Sequence, residues 1–367
     1  MKHNPSVIMT SNGTISPSEW LNRANLYELT VDDFSERHQL FSRRQSAEKP
    51  LVGLYRHSIY PMSELIEYLG EGEVHSEDIE ADRWLHVYEQ TWERTGLMWG
   101  DLVYWAAPLN GFPWLEAILG CSIHVSRESN SVWAEPPMDL KLGDEIRLDP
   151  KNAWFQKLLQ ATEALVKLSA GRFPVASGIM RGISDLMAAL LDSTGFYLAL
   201  YDQPEILSQL AQNLAEIWIM VVGAQYELIP TFSKGYVNAG LWMPGPCPVY
   251  QEDAASLISP EIFEEIIAPY SRQVLASFEC PIMHLHSEGL QIIDSFLGIE
   301  NQPVIEVNID PAGPPLNELI PIFRAIQNKA PLEIFGTVDE IGTCLQELSY
   351  DGLACLILES SLEDVND

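Results

Sequence analysis

Pro281-Ile282-Met283-His284-Leu285-His286, followed at once by Ser287-Glu288-Gly289, is a short, mostly apolar run that stops in polar residues and a glycine. A run of that length bounded by turn residues reads as a strand buried on both faces, the kind found in parallel sheets. Seven further runs of the same character lie at residues 51–55, 102–105, 173–179, 236–241, 304–309, 332–335 and 353–358. Longer amphipathic stretches separate them, as expected of βα units. Eight strands is the number that closes a TIM (β/α)8 barrel, and 367 residues leave room for additions to it.

Two additions are expected. Residues 1–48 are polar and carry Ser16-Pro17-Ser18-Glu19, a capping-box spacing with proline at the first helical position, so they read as an N-terminal helical extension ahead of a barrel spanning 49–367. Between 121 and 149, the alternation in Ser122-Ile123-His124-Val125-Ser126 and Ser131-Val132-Trp133-Ala134 reads as an inserted β-hairpin, a cover for part of the barrel mouth. Helix starts are expected at Asp202-Gln203-Pro204-Glu205, with Asp202 as cap, and at Ser259-Pro260-Glu261.

Composition narrows the function classes. Lys plus Arg total 21 against 52 Asp plus Glu, and a net charge of −31 repels a phosphate backbone, which excludes nucleic acid as a partner. No uninterrupted apolar stretch reaches the roughly 18 residues of a membrane span, and the N-terminus lacks the layout of a signal peptide, so the chain is read as cytoplasmic. Five cysteines at long spacings with no CxxC pair argue for reduced thiols. There is no GxxxxGK loop, no GxGxxG after a strand and no GxSxG elbow.

The order of several blocks resembles the uroporphyrinogen decarboxylase superfamily over roughly residues 51–358. The blocks are Phe173-Pro-Val-Ala-Ser-Gly-Ile-Met-Arg-Gly-Ile-Ser-Asp-Leu-Met-Ala-Ala-Leu-Leu, Tyr201-Asp-Gln-Pro-Glu-Ile-Leu, the stretch from Asp253-Ala-Ala-Ser to Ile267-Ala-Pro-Tyr, the run from Pro281 to Gly289, and Ile334-Phe-Gly-Thr-Val-Asp. The resemblance implies the TIM barrel and two chemistries, porphyrinogen decarboxylation and zinc-dependent methyl transfer between corrinoid carriers and thiols. The decarboxylase signature Arg-Gln-Ala-Gly-Arg-Tyr is replaced here by Leu54-Tyr55-Arg56-His57-Ser58-Ile59-Tyr60, and the aspartate expected after the second strand is not evident in Val103-Tyr-Trp-Ala-Ala-Pro. The methyltransferases carry a strand-end His-x-Cys and a further Cys near the last strand. The counterpart here is His284-x-His286 or His286-x-Glu288, without the thiol, and Cys355 stands near the position of the remote Cys.

Residues two apart on a strand share a face, so His284 and His286 can reach one ion, with Glu288 just past the strand and Cys355 across the sheet completing a zinc ligand set. The alternative for the same residues is two hydrogen-bonded core histidines, a helix-capping Glu288 and a small buried Cys355. Arg181 follows the third run and suits a bidentate carboxylate or phosphate contact, or else a surface ion pair. Arg56 and His57 should lie near the mouth, Trp242 and Met243 offer an apolar wall for a small-molecule substrate, and Glu252 and Asp253 a polar one.

The favoured reading is a zinc-dependent methyltransferase-like enzyme, acting on a small molecule or on the methyl group of a partner corrinoid protein. A metal-free carboxy-lyase of porphyrin metabolism is the alternative, with His286 or Glu288 as proton donor and Arg181 or Arg56 as anchor. A non-catalytic ligand-binding barrel is the third. The resemblance also suggests a homodimer.

Overall fold

Parallel pairing runs unbroken across seven strands, in the order Leu51–Tyr55 (β1), Leu353–Leu358 (β7), Leu332–Gly336 (β6), Val304–Asn308 (β5), Ile282–His286 (β4), Val249–Gln251 (β3) and Ile179–Arg181 (β2). The computed structural model describes residues 8–10, 13–15, 31–45, 47–55, 62–80, 82–96 and 98–358. From β2 to β7 each strand pairs with the next along the chain, and helices fill most of the crossovers, among them Pro204–Leu228, Ala268–Ala276, Leu316–Gln327 and Val338–Glu347. The result is an α/β fold on a parallel sheet. The capping expected at Ser16 to Glu19 and most of the N-terminal extension lie outside the described residues; within it, Val31–Ser42 is helical.

Local chemistry accounts for the helix starts. Ser259 Oγ accepts the Ile262 amide ahead of Pro260, and Thr337 and Glu340 form a reciprocal capping box. At Pro204 the cap differs from expectation. Asp202 is the last residue of helix Ser193–Asp202, and Gln203 occupies the cap position without a side-chain bond.

Five of the eight expected runs are sheet strands nearly as read, and three are not. Residues 102–105 give only Leu102–Val103, paired antiparallel with Met98–Trp99; single bridges flank them, Gly100 to Gly53 of the large sheet's edge strand and Ala106 to Val175, ahead of the other edge strand. Residues 173–179 enter the ladder only at Ile179, after Gly178 at φ +85°. Residues 236–241 form a separate hairpin, because Ala239 and Gly240 take φ +50° and +78°, a two-residue turn that sends Leu241–Met243 back along Tyr236–Asn238. The strand that the sheet uses instead is Val249–Gln251, three residues long and preceded by Pro246 and Pro248. The eight-stranded closure expected from the run count is therefore a seven-stranded parallel ladder among the described residues. The expected hairpin is present as Ser122–Ser126 against Ser131–Glu135, and Gly72–Val74 extends it to three strands.

Register assigns the faces. Arg181, Gln251, His284, Glu306, Glu333, Ala354 and Leu51 are successive partners across the ladder, so their side chains share one face, and His286 and Asn308 stand two residues further on the same face. The other face meets helices: Tyr250 stacks edge-on with Trp218 of Pro204–Leu228 and bonds Ser271 of Ala268–Ala276. Pro204–Leu228 is long and apolar enough by length and composition to cross a membrane, and 50% of its most apolar window is buried in the protein. All five cysteines are free, and four of them, Cys121, Cys247, Cys344 and Cys355, are buried.

Two close approaches fix the strand ends. The Gly182 amide donates to the Gln251 carbonyl at 2.6 Å, and a Cβ at position 182 would sit 2.2 Å from that same oxygen, so no other residue fits without parting β2 from β3. Elsewhere, His38 joins three segments. Its Nε2–H donates to the Asp101 carbonyl at 2.8 Å, and its Nδ1 accepts the Trp242 amide at 2.9 Å. The Trp242 bond requires an unprotonated Nδ1 and so a neutral ring, and burial, only partly offset by Asp101, pulls the His38 pKa from 6.5 to about 4.

The unfolded chain takes up a proton at His38 near 6.5 and the folded chain only near 4, so acid favours unfolding across that interval. Stability from this group is complete above the upper value and falls by about 3 kcal/mol as pH drops to the lower one. Urea midpoints measured through the interval should decline in the wild type and flatten in His38→Gln, which keeps a donor and an acceptor but does not titrate. Equal slopes in the two proteins would remove His38 as the cause.

A candidate metal centre at the carboxyl ends of the strands

Alternation along β4 places His284 and His286 on one face, their ring centroids 5.1 Å apart and their planes 89° to each other. His284 is buried and His286 partly so. Each ring is held at Nδ1 by a carboxylate from β5 or the loop after it, His284 by Glu306 Oε1 at 2.5 Å and His286 by Asp310 Oδ1 at 2.6 Å. With an anion at Nδ1, each ring keeps its proton there and offers the Nε2 lone pair. Burial lowers the His284 pKa, but Glu306, Asp253 and Asp310 outweigh it and the net shift is upward. Asp310 is itself fixed by the Ser287 amide and hydroxyl and by the Asn308 amide, at 2.9 to 3.0 Å.

The third member comes from β3. Just beyond that strand, Asp253 offers an oxygen that lies with the two imidazole nitrogens in one cluster, all ligand atoms within 4.8 Å of one another. Its Oδ1 is 3.8 Å from His286 Nε2, while Oδ2 accepts the Gln251 side-chain amide. Oδ1 is sealed from solvent and has no hydrogen-bond partner among the described residues. The backbone is steadied by Asp185, whose carboxylate accepts the amides of Asp253 and Ala254 at 3.2 and 2.6 Å. Burial first, then Asp253 and Glu252, push the Asp185 pKa well above its usual value.

The neighbouring Glu252 points the other way. It is buried and accepts from the Ser184 amide at 2.9 Å, the Ser184 and Tyr250 hydroxyls, and the Ser271 hydroxyl at 2.8 Å. It anchors helix Ile183–Leu191 to β3 and does not face the cluster.

The residues singled out from sequence separate into groups. His284, His286 and Asp253 converge. Glu288 does not join them, being exposed in the 3-10 segment Ser287–Phe296. Cys355 cannot, because the ladder pairs it with Ile334 and Val52 in the row of Leu285, on the opposite face from His284. It is fully buried there, and burial, then Cys344 and Glu333, hold its thiol well above the usual range.

Arg181 lies at the strand ends with its side chain 48% exposed, in an ion pair at 3.1 Å with the buried Glu116. Trp242 and Met243 are buried in the 236–243 hairpin, and the Trp242 ring donates to the Phe232 carbonyl. Arg56 and His57 lie outside the described residues. Sequence reasoning passed over Glu306, Asp310, Asp185 and Gln251. The signal for the first two was present: Glu306, Asn308 and Asp310 alternate with Ile305, Val307 and Ile309, a polar stripe of period two in a strand otherwise apolar.

No protein-family model and no curated protein matches the chain. Among solved structures, a methyltransferase from Methanosarcina mazei superposes with a TM-score of 0.54, covering 89% of this chain and 93% of that one at 14% identity. At that identity the likeness is one of fold: this chain has the α/β fold of that methyltransferase.

Asp310 carries a pH signature of its own. Burial raises its pKa, but His286, Ser287 and Asn308 outweigh this and leave it below 3.8. The stability it contributes is therefore present above 3.8 and lost as pH falls through the lower, folded value. Acid unfolding followed by circular dichroism should be shallower below 3.8 in Asp310→Asn than in the wild type. An unchanged acid limb would show that the carboxylate is not held by these partners.

Proposed function

We propose that the chain is a metal-dependent, methyltransferase-like enzyme of the uroporphyrinogen decarboxylase superfamily, with zinc held by Asp253 Oδ1 and the Nε2 atoms of His284 and His286. The observation that carries this is the Asp253 oxygen, buried and unpartnered, facing two imidazoles whose other nitrogens are already bound to carboxylates. An orphaned buried carboxylate oxygen costs about 1–3 kcal/mol or more, and a cation between it and two nitrogen lone pairs offsets that cost. Two imidazoles and a carboxylate make a chemically sound zinc set that leaves a coordination position open. When bound, the ion supplies Lewis acidity that lowers the pKa of a thiol or hydroxyl acceptor, making it a nucleophile toward a methyl group.

The chain's own residues do the rest. Glu306 and Asp310 keep the imidazole protons on Nδ1, and Gln251 and Asp185 hold Asp253 in place. Arg181 stands two strands from His284 in the same row, where its exposed side offers a contact to an anionic group on the substrate or on a corrinoid protein that brings the methyl group. The TIM-barrel form of the fold belongs to the same proposal, with residues 100–106 standing between β1, bridged at Gly100, and the segment ahead of β2, bridged from Ala106 to Val175. The same reading carries a cytoplasmic homodimer, for which sedimentation of the purified chain is the check.

The metal-free carboxy-lyase reading is disfavoured by charge. A polycarboxylate would enter a region holding Asp253, Glu306 and Asp310, and the Arg181 guanidinium, which also pairs with Glu116, would have to hold several carboxylates at once.

Elemental analysis of protein purified without chelator should find about one zinc per chain, and Asp253→Ala or His284→Ala should weaken zinc binding by about ten-fold or more. A preparation free of metal that transfers a methyl group, or variants that bind zinc like the wild type, would overturn the assignment.

A further inference from the structure

Behind His284 the sheet carries a further buried carboxylate, Glu333, that is not among the residues holding the metal site. Glu306 on β5 is the register partner of Glu333 on β6, and both side chains lie on the face of His284. They are 1% and 0% exposed. Glu306 Oε1 receives the His284 Nδ1–H, whereas Glu306 Oε2 and both oxygens of Glu333 have no hydrogen-bond partner among the described residues. The next partners in the row are Ala354 and Leu51, which supply neither a donor nor a cation.

Two adjacent carboxylates sealed from water cannot both be anionic without a counter-charge. Glu306 already accepts the His284 N–H, so a proton shared by the two carboxyl groups belongs on Glu333. We infer that Glu333 is a positioning residue for the His284 imidazole: as a neutral carboxylic acid it donates its O–H to the free oxygen of Glu306, whose other oxygen accepts the imidazole N–H. Burial, and after it the neighbouring Glu306, also push the Glu333 pKa well above the usual range. The chain Glu333 to Glu306 to His284 gives the free Glu306 oxygen a donor, locks the imidazole as the Nδ1–H tautomer and turns the Nε2 lone pair toward Asp253. It deepens the proposed metal site and rests on that site only where metal affinity is the readout.

Two substitutions separate the roles. Glu333→Gln keeps a donor for Glu306, and Glu333→Met keeps the volume without one. In the infrared difference spectrum between wild type and Glu333→Gln at neutral pH, the band lost should be that of a protonated carboxyl group. Loss of a carboxylate band instead would overturn the proposal. In nitrogen-15 spectra of the metal-free protein, at a pH that leaves the ring neutral, His284 should be the Nδ1–H tautomer in wild type and Glu333→Gln and a mixture in Glu333→Met. A single unchanged tautomer in Glu333→Met would also overturn it.

With cobalt(II) as probe, Glu333→Gln should bind within about two-fold of wild type and Glu333→Met about ten-fold more weakly. If the infrared and tautomer results hold while no variant binds cobalt, the metal reading fails and the role of Glu333 stands.

Discussion

The ladder between β4 and β5 sets Glu306 beside His284 and Asn308 beside His286, and the chemistry at the strand ends follows from that pairing. Because side chains alternate along a strand, one register fixes which side chains are brought together and which are turned away. It gathers Arg181, Gln251, His284, Glu306 and Glu333 on one face and sends Leu285, Val307, Ile334 and Cys355 to the other, against the helices. A slip of one residue between β4 and β5 would bury both histidines under helices and bring aliphatic side chains to the cluster.

Anionic groups crowd this region, and the structure accommodates them in different ways. Glu252 is surrounded by four donors, and even so burial leaves its pKa raised. Asp310 is ringed by serine, asparagine and histidine donors and stays ionised more readily than an ordinary aspartate. Glu116 relies on one guanidinium, and burial still raises its pKa. Asp253 and Glu333 are left with unpartnered oxygens. Fully supplied carboxylates are structural members, whereas those left short of donors are the places where the folded chain can still take up a cation or a proton.

The sequence was most legible where strands are long and apolar. β1, β4, β5, β6 and β7 stand at or within a residue of where their runs place them, and the alternation of β4 correctly puts both histidines on one side. It was least legible where turns decide. Nothing in the run at 236–241 announces that Ala239 will take a left-handed conformation, and a three-residue strand between prolines and polar residues, as at 249–251, has too few positions to show a period. Cys355 illustrates the limit of distance in sequence: its strand was legible and its face was not, because a face depends on a register set by partners far along the chain. Asp253 was read as a wall and is the third member of the cluster, a role that rests on the turn its backbone makes around Asp185.

The buried thiols have a consequence for handling the protein. Desolvation pushes Cys121 and Cys344 to about 12, and Cys247 and Cys355 well above the usual thiol range, so almost no thiolate exists at neutral pH while the chain is folded. An alkylating reagent can reach these sulfurs only after the surrounding helices and strands come apart. Their labelling rate is therefore a clock for spontaneous opening of the interior, one that runs without denaturant and reads several regions of the chain at once.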